Sequence, residues 1–82
     1  MDDQVVMFTT TWCGYCVRLK RHLDREGVAY REVNIEHDED AAAFVMSVNG
    51  GNRTVPTLRF PNGVALTNPS PAEVAAQLRR SA

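Results

Sequence analysis

The chain has 82 residues, 44% of them apolar by type, and a formal net charge of −1. That is the size of one domain, spanning 1–82, near the lower limit at which a core alone holds a fold and too apolar for disorder. The charge balance excludes general nucleic-acid binding, which needs a basic surface, and no apolar run approaches the ~20 residues that would cross a membrane. The start, "MDDQVVMF", carries acids where a secretory signal carries bases and lacks a small-residue cleavage site, so the expected location is the cytoplasm.

"QVVMFTT", residues 4–10, is a continuous run rich in β-formers, the pattern of a buried central strand. A helix is expected from Gly14 to Arg25, with Cys16, Leu19 and Leu23 on one face and "EG" at 26 and 27 closing it. Its bases, Arg18, Lys20, Arg21 and Arg25, read as a solvated face. "VAYREVNI" is a second strand, with Val33 and Ile35 sharing a face. "HDEDAAAFVMSVNGG" is a second helix, with acids in its first turn to suit the dipole and a buried stripe of Ala41, Phe44, Val45 and Val48. "TLRF" and "VAL" flank the turn signal "PNG" and form an antiparallel hairpin. "SPAEVAAQLRR" is a last helix: Ser70 and Glu73 make a capping box, and Pro71 takes the first helical position. The order βαβαββα gives an α/β fold, a four-stranded mixed sheet with helices on both faces and its first two strands parallel neighbours.

The chemistry is concentrated in "TTTWCGYC". Cys13 and Cys16 are the only two cysteines, and a bridge between them closes too small a loop to constrain the unfolded chain much. Such a pair points to metal or redox work. A zinc site would need two further ligands, and the candidates His22 and His37 form no second pair; both read as surface residues, and the acids of "EHDED" as helix-start charges. There is no Ser-His-Asp arrangement and no glycine-rich phosphate loop. At the amino end of its helix, Cys13 meets free backbone N–H groups and the positive end of the dipole, whereas Cys16 lies a turn further in, on the Leu19 and Leu23 stripe. One sulfur is exposed and activated, the other shielded: an attacking and a resolving thiol.

Lowering a thiol pKa from ~8.5 to ~6.5 raises its ionised fraction near neutral pH about ninefold. A Brønsted slope of ~0.4–0.5 takes back about six- to tenfold in nucleophilicity. Attack gains little, and departure gains: a low-pKa sulfur leaves a mixed disulfide faster.

The element order, Cys13-Gly14-Tyr15-Cys16 and the later Thr54-Val55-Pro56 resemble thioredoxin-fold proteins of the glutaredoxin branch, over about Val5 to Leu78. Trp12-Cys13-Gly14 is similar to thioredoxin and Tyr15-Cys16 to dithiol glutaredoxins. The buried strand acid of thioredoxin is missing from "VVMFTT", and so is the monothiol motif Cys-Gly-Phe-Ser. "TTTWCGYC", "NGGNRTVPT" and "LTNPS" together resemble the mycoredoxins, glutaredoxin-like proteins of bacteria that use mycothiol in place of glutathione. Two departures from ordinary glutaredoxins point the same way. Thr10, Thr11 and Trp12 stand where a lysine commonly precedes the cysteines. Thr67-Asn68-Pro69-Ser70 replaces the Gly-Gly and acidic residues that receive the γ-glutamyl end of glutathione.

The resemblance implies a thiol–disulfide oxidoreductase that reduces protein–mycothiol mixed disulfides by a monothiol mechanism. Cys13 is then the nucleophile and Cys16 the resolving thiol. No cofactor is bound; mycothiol is the co-substrate, and the partners are mycothiolated proteins and, indirectly, a NADPH-dependent mycothiol disulfide reductase. Nucleic acid and membrane are not partners, and the chain acts as a monomer. A cis Val55-Pro56 bond facing the cysteines is also implied; with no proline N–H to pair, the Val55 backbone is free to bond substrate as an added strand would. Trp12 is either a docking surface for partners or a lid packed on its loop, and Tyr15 is divided in the same way. Arg53 either pairs with a polar ligand group or is solvated. Thr54, Val55, Pro56, Thr67 and Asn68 complete the candidate binding set, and Ser70 is explained by helix capping alone. The rival readings are a redoxin that feeds ribonucleotide reductase and is reduced by thioredoxin reductase, a metal or iron–sulfur carrier, and a non-catalytic redox-controlled binding module.

Overall fold

The computed structural model describes residues 4 to 81; Met1 to Asp3, on which the reading of the amino terminus partly rested, lie outside the described residues. Eight elements follow one another: strand β1 (Val5–Thr9), helix α1 (Gly14–Arg25), strand β2 (Tyr30–Asn34), a 3-10 turn (Ile35–His37), helix α2 (Glu39–Val48), strands β3 (Thr57–Arg59) and β4 (Ala65–Thr67), and helix α3 (Pro71–Ser81). The four strands form one sheet in the order β2-β1-β3-β4. β1 and β2 run parallel, while β3 is antiparallel to both β1 and β4.

The architecture follows from β1. All five of its residues are buried, and because strand side chains alternate between faces they divide into two sets. Val5 and Met7 join Leu58 and Phe60 against Leu19 and Leu23 of α1 and Val74 of α3. Val6 and Phe8 face the other way, onto Ile35 and the Ala41, Ala42 and Val45 surface of α2. So α1 and α3 cover one face and α2 the other, as the order of elements implied.

Helix ends are closed by side chains near in sequence. Asp38 caps α2 by accepting from the Ala41 N–H at 3.0 Å. At α3 the capping box is reciprocal: the Ser70 N–H donates to Glu73 Oε1 at 2.9 Å, and the Glu73 N–H donates to Ser70 Oγ at 3.1 Å. In the hairpin, Gly63 adopts φ 90°, a conformation open to glycine and costly for other residues, and its N–H closes the turn onto the Phe60 carbonyl at 2.8 Å.

Four local expectations change. Ile35 lies in the 3-10 turn and not in the second strand, because the Asn34 side chain accepts from the Glu36 N–H at 2.8 Å and turns the chain there. It still shares the α2-side cluster with Val33. The stripe of α2 includes Ala42 in place of Val48, which is 41% exposed. At that end of the helix Asn49 bends onto the sheet instead, donating to Thr57 Oγ1 at 3.2 Å and accepting from the Thr67 hydroxyl. The last strand is shifted one residue, with Leu58 opposite Leu66 and Thr57 opposite Thr67. Lys20, read as part of a solvated face, is half-buried and paired with Glu32 at 3.1 Å. Burial pushes the Glu32 carboxyl up, but hydrogen bonds from Thr9 and Lys20 and the Lys20 charge outweigh it and hold it below the usual carboxylate range.

Truncating Leu23, 1% exposed in the α1-side core, to Ala should cost about 2–5 kcal/mol in urea denaturation. Val48→Ala should stay within about 0.5 kcal/mol of the parent, as an exposed position does.

Candidate active site

Strand register brings the sequence-distant candidates to one end of the sheet. Thr9 pairs with Asn34, Phe8 with Thr57, and Thr57 with Thr67. The loop carrying Cys13, the 3-10 turn after β2, the Val55-Pro56 approach to β3 and the Asn68 exit from β4 therefore all leave the sheet on the same edge, where open α/β sheets build their sites. The Val55-Pro56 bond is cis. Asn68, at φ 46°, sends its N–H to the Pro56 carbonyl at 2.7 Å, so the segments before β3 and after β4 are joined directly.

Cys13 is the N-cap of α1. Its backbone is extended, at φ −133° and ψ 100°, and its Sγ accepts a hydrogen bond from the Cys16 N–H at 3.0 Å. The first turn of α1 carries no acid, in contrast to α2, whose first turn holds Glu39 and Asp40. The positive end of the α1 dipole is thus left to the cysteine. Cys16 is 1% exposed, whereas Cys13 is half-buried. The two form a disulfide across a Cα separation of 5.2 Å. In this oxidised state the Cys13 sulfur, on a residue half-buried and not exposed as expected, already occupies the position in which backbone N–H and dipole would stabilise a thiolate, and Cys16 is walled off among core residues.

The loop before Cys13 is held by a residue that sequence reasoning assigned to a helix start. Glu36 Oε1 accepts from the Thr11 N–H at 2.6 Å, and the Asn34 amide donates to the Thr11 hydroxyl at 3.1 Å. The Thr11 hydroxyl first, and its backbone N–H second, hold the Glu36 carboxyl below the usual carboxylate range. Of "EHDED", only Glu39 and Asp40 lie in the first turn of α2; Asp38 is the cap, and Glu36 clamps the cysteine loop. A signal was present in the sequence: an Asn two residues before an acid, after a strand parallel to the one that feeds the cysteines.

The remaining candidates are distributed unevenly. Trp12 is 92% exposed, so it is not a lid packed on its loop. Tyr15 is exposed, with the Arg18 guanidinium 5.5 Å from its ring centroid. Tyr15 and Asn68 line one groove of about 300 Å³ between α1 and the start of α3. Thr67 and Thr54 are exposed but occupied: the Thr67 hydroxyl donates to Asn49, and the Thr54 carbonyl accepts from Thr57 Oγ1 at 2.8 Å. Pro56 is fully buried and Val55 half-buried against the α2-side cluster. Arg53 lies elsewhere, in a separate groove with Glu36, His37, Asp38 and Glu39. His22 and His37 line different grooves. Among the described residues no three His, Cys, Asp or Glu side chains are placed to hold a metal ion. No helix among them is long and apolar enough to cross a membrane.

A two-faced α/β sheet of this order, with a Cys-x-x-Cys disulfide capping the first helix, is the thioredoxin-type fold of thiol–disulfide oxidoreductases. The glutaredoxin family model matches residues 5–64, and the chain belongs to the glutaredoxin family. It is 60% identical over 74 residues to a Mycobacterium tuberculosis protein named as a glutaredoxin, covering 90% of this chain and 88% of that one. It is 44% identical over 76 residues to Mycoredoxin 1 of Corynebacterium glutamicum, covering 93% and 94%. The buckwheat glutaredoxin–glutathione complex superposes with a TM-score of 0.65 at 28% identity, over 94% of this chain and 69% of that one. The protein is a thiol–disulfide oxidoreductase of the glutaredoxin type, close to mycoredoxin.

Because the Glu36 carboxyl titrates below its unfolded value, the clamp on Thr11 is fully present above the unfolded pKa and is lost as pH falls through the lower folded one. In NMR titrations of the parent, the Thr11 amide shift should follow the Glu36 side chain with one common midpoint. In Glu36→Ala the acid-range step at Thr11 should vanish.

Proposed function

We propose that the protein reduces mixed disulfides between proteins and mycothiol by a monothiol route, with Cys13 as nucleophile. The observation that carries this reading is the asymmetry of the pair: Sγ of Cys13 accepts the Cys16 N–H at 3.0 Å at the accessible helix end, and Cys16 is 1% exposed. The 44% identity to a mycoredoxin supports the choice of thiol. So does Thr67-Asn68-Pro69-Ser70, a segment without the charged side chain that suits a γ-glutamyl group.

In the first step the Cys13 thiolate attacks the mycothiol sulfur. A Cys13–mycothiol disulfide forms, and the protein thiolate leaves and takes up a proton. In the second, a mycothiol thiolate attacks the mycothiol sulfur of that adduct. Mycothiol disulfide forms, Cys13 departs as a thiolate held by the Cys16 N–H and the α1 dipole, and a NADPH-dependent reductase recycles the disulfide. Trp12, Tyr15 and Asn68 flank the path of the adduct, and the Val55 backbone offers it an edge. Cys16 competes by displacing mycothiol to form the internal disulfide. The protein acts in the cytoplasm as a single-domain monomer without a bound cofactor.

The Cys13–Cys16 disulfide favours one second reading, a dithiol redoxin whose internal disulfide is the form that a reductase regenerates. Removing Cys16 separates the two. Cys16→Ser should retain most turnover of mycothiol mixed disulfides in excess mycothiol and should accumulate a Cys13 adduct, read by mass spectrometry, when mycothiol is withheld. Cys13→Ser should be inactive. Loss of turnover in folded Cys16→Ser would establish the dithiol reading.

Single-cysteine variants also report on the asymmetry. The alkylation rate of Cys13 should rise with pH at a lower midpoint than that of Cys16, because only Cys13 faces the helix terminus. Coincident profiles would remove the basis for the assignment.

A further inference from the structure

The basic face of α1 has a place in the site that capping and core packing leave unused. Tyr15, Arg18, His22 and Arg25 stand at i, i+3, i+7 and i+10, one stripe of the helix, and all four line the groove completed by Asn68 and Pro69. The stripe begins inside the Cys-x-x-Cys motif. The ten helical rises from Tyr15 to Arg25, at about 1.5 Å each, make it about 15 Å long, the reach of about four to five residues of extended chain. That exceeds the needs of a single thiol adduct. Arg18 is held at the cysteine end by the Tyr15 ring, and both Arg18 and Arg25 are exposed. Glu26, 3.8 Å from His22, lines the neighbouring groove and not this one. Among the described residues no Asp or Glu side chain lines the groove itself; Asp24 accepts from the Tyr30 hydroxyl, and Glu73 caps α3. In a chain of net charge −1, this groove is lined by two guanidinium groups and no carboxylate, and it begins at Tyr15 within the Cys-x-x-Cys motif.

We propose that this groove receives an acidic segment of the protein substrate, so that carboxylates beside the modified cysteine select which mixed disulfides are reduced. The proposal rests on the oxidoreductase reading above and adds the substrate class. Paired charges at a partly open groove contribute little each, but they act together on encounter and orientation and are screened by salt.

The test uses two mixed-disulfide peptides that differ only in flanking residues, three Asp or Glu against their amide counterparts. On the acidic peptide at low ionic strength, Arg18→Gln/Arg25→Gln should lose about five- to tenfold in kcat/KM, approach the parent at high salt, and match it on the amide peptide. Equal losses on both peptides, or a parent protein that does not prefer the acidic one, would overturn the proposal. A second arm involves no turnover: a cysteine-free acidic peptide should shift the amides of Arg18, His22 and Arg25 in the parent and not in the double variant. A protein that binds this peptide yet fails to recycle with mycothiol would refute the mycothiol reading and uphold the groove. Turnover with mycothiol and no shift along α1 would do the reverse.

Discussion

The burial of β1 on both faces is the constraint from which the rest follows. A strand of Val5, Val6, Met7, Phe8 and Thr9 with no exposed face needs cover above and below. Helix α1 provides it on one side and α2 on the other, each returning from the carboxyl end of a parallel strand. The chain must therefore leave β1 at the sheet edge and start a helix within a few residues. Cys13 stands at that start. The reactivity proposed for it follows from topology: whichever residue caps α1 inherits the free N–H groups and the positive end of the dipole.

Three residues further along, the same helix logic acts on the second cysteine. Cys16 is already committed to the side of α1 that packs on the sheet with Leu19 and Leu23, so it is buried by the same contacts that stabilise the fold. The chemical difference between two identical side chains comes from their phase on one helix. In the proposed monothiol route this arrangement suits Cys13, since a stabilised thiolate is the better leaving group.

Electrostatics reinforce the division. Acids gather on the β2–α2 side of the molecule, where Glu36 secures the cysteine loop through Thr11, Asp38 caps α2, and Glu39 and Asp40 occupy its first turn. Bases line the α1 groove on the other side. The pair of cysteines lies between a clamp built from a carboxylate and a groove edged with guanidinium groups. A thiolate at Cys13 meets no acid in its own helix turn.

Local pattern was sufficient for much of this. The bounds of α1, the Ser70–Glu73 box, the hairpin around Pro61, Asn62 and Gly63, and the phase that separates Cys13 from Cys16 were all legible in the sequence. Each depends on residues a few positions apart, where helix period, capping and turn chemistry act directly. Other features arise between segments distant along the chain. Val48 falls on the apolar stripe of α2 by period, yet Asn49 takes the place over the sheet because Thr57 and Thr67 wait there with hydroxyl groups. Lys20 reads as surface until Glu32 arrives from β2. Glu36 reads as a helix-start acid until the parallel pairing of β1 and β2 brings it to Thr11. Trp12 was open to two readings, and only the fold leaves it without a surface to cover. The sequence by itself determined which residues are chemically able, because side-chain type and local phase are written in it. The tertiary structure decided which of them meet, because register and packing are set by the whole core at once.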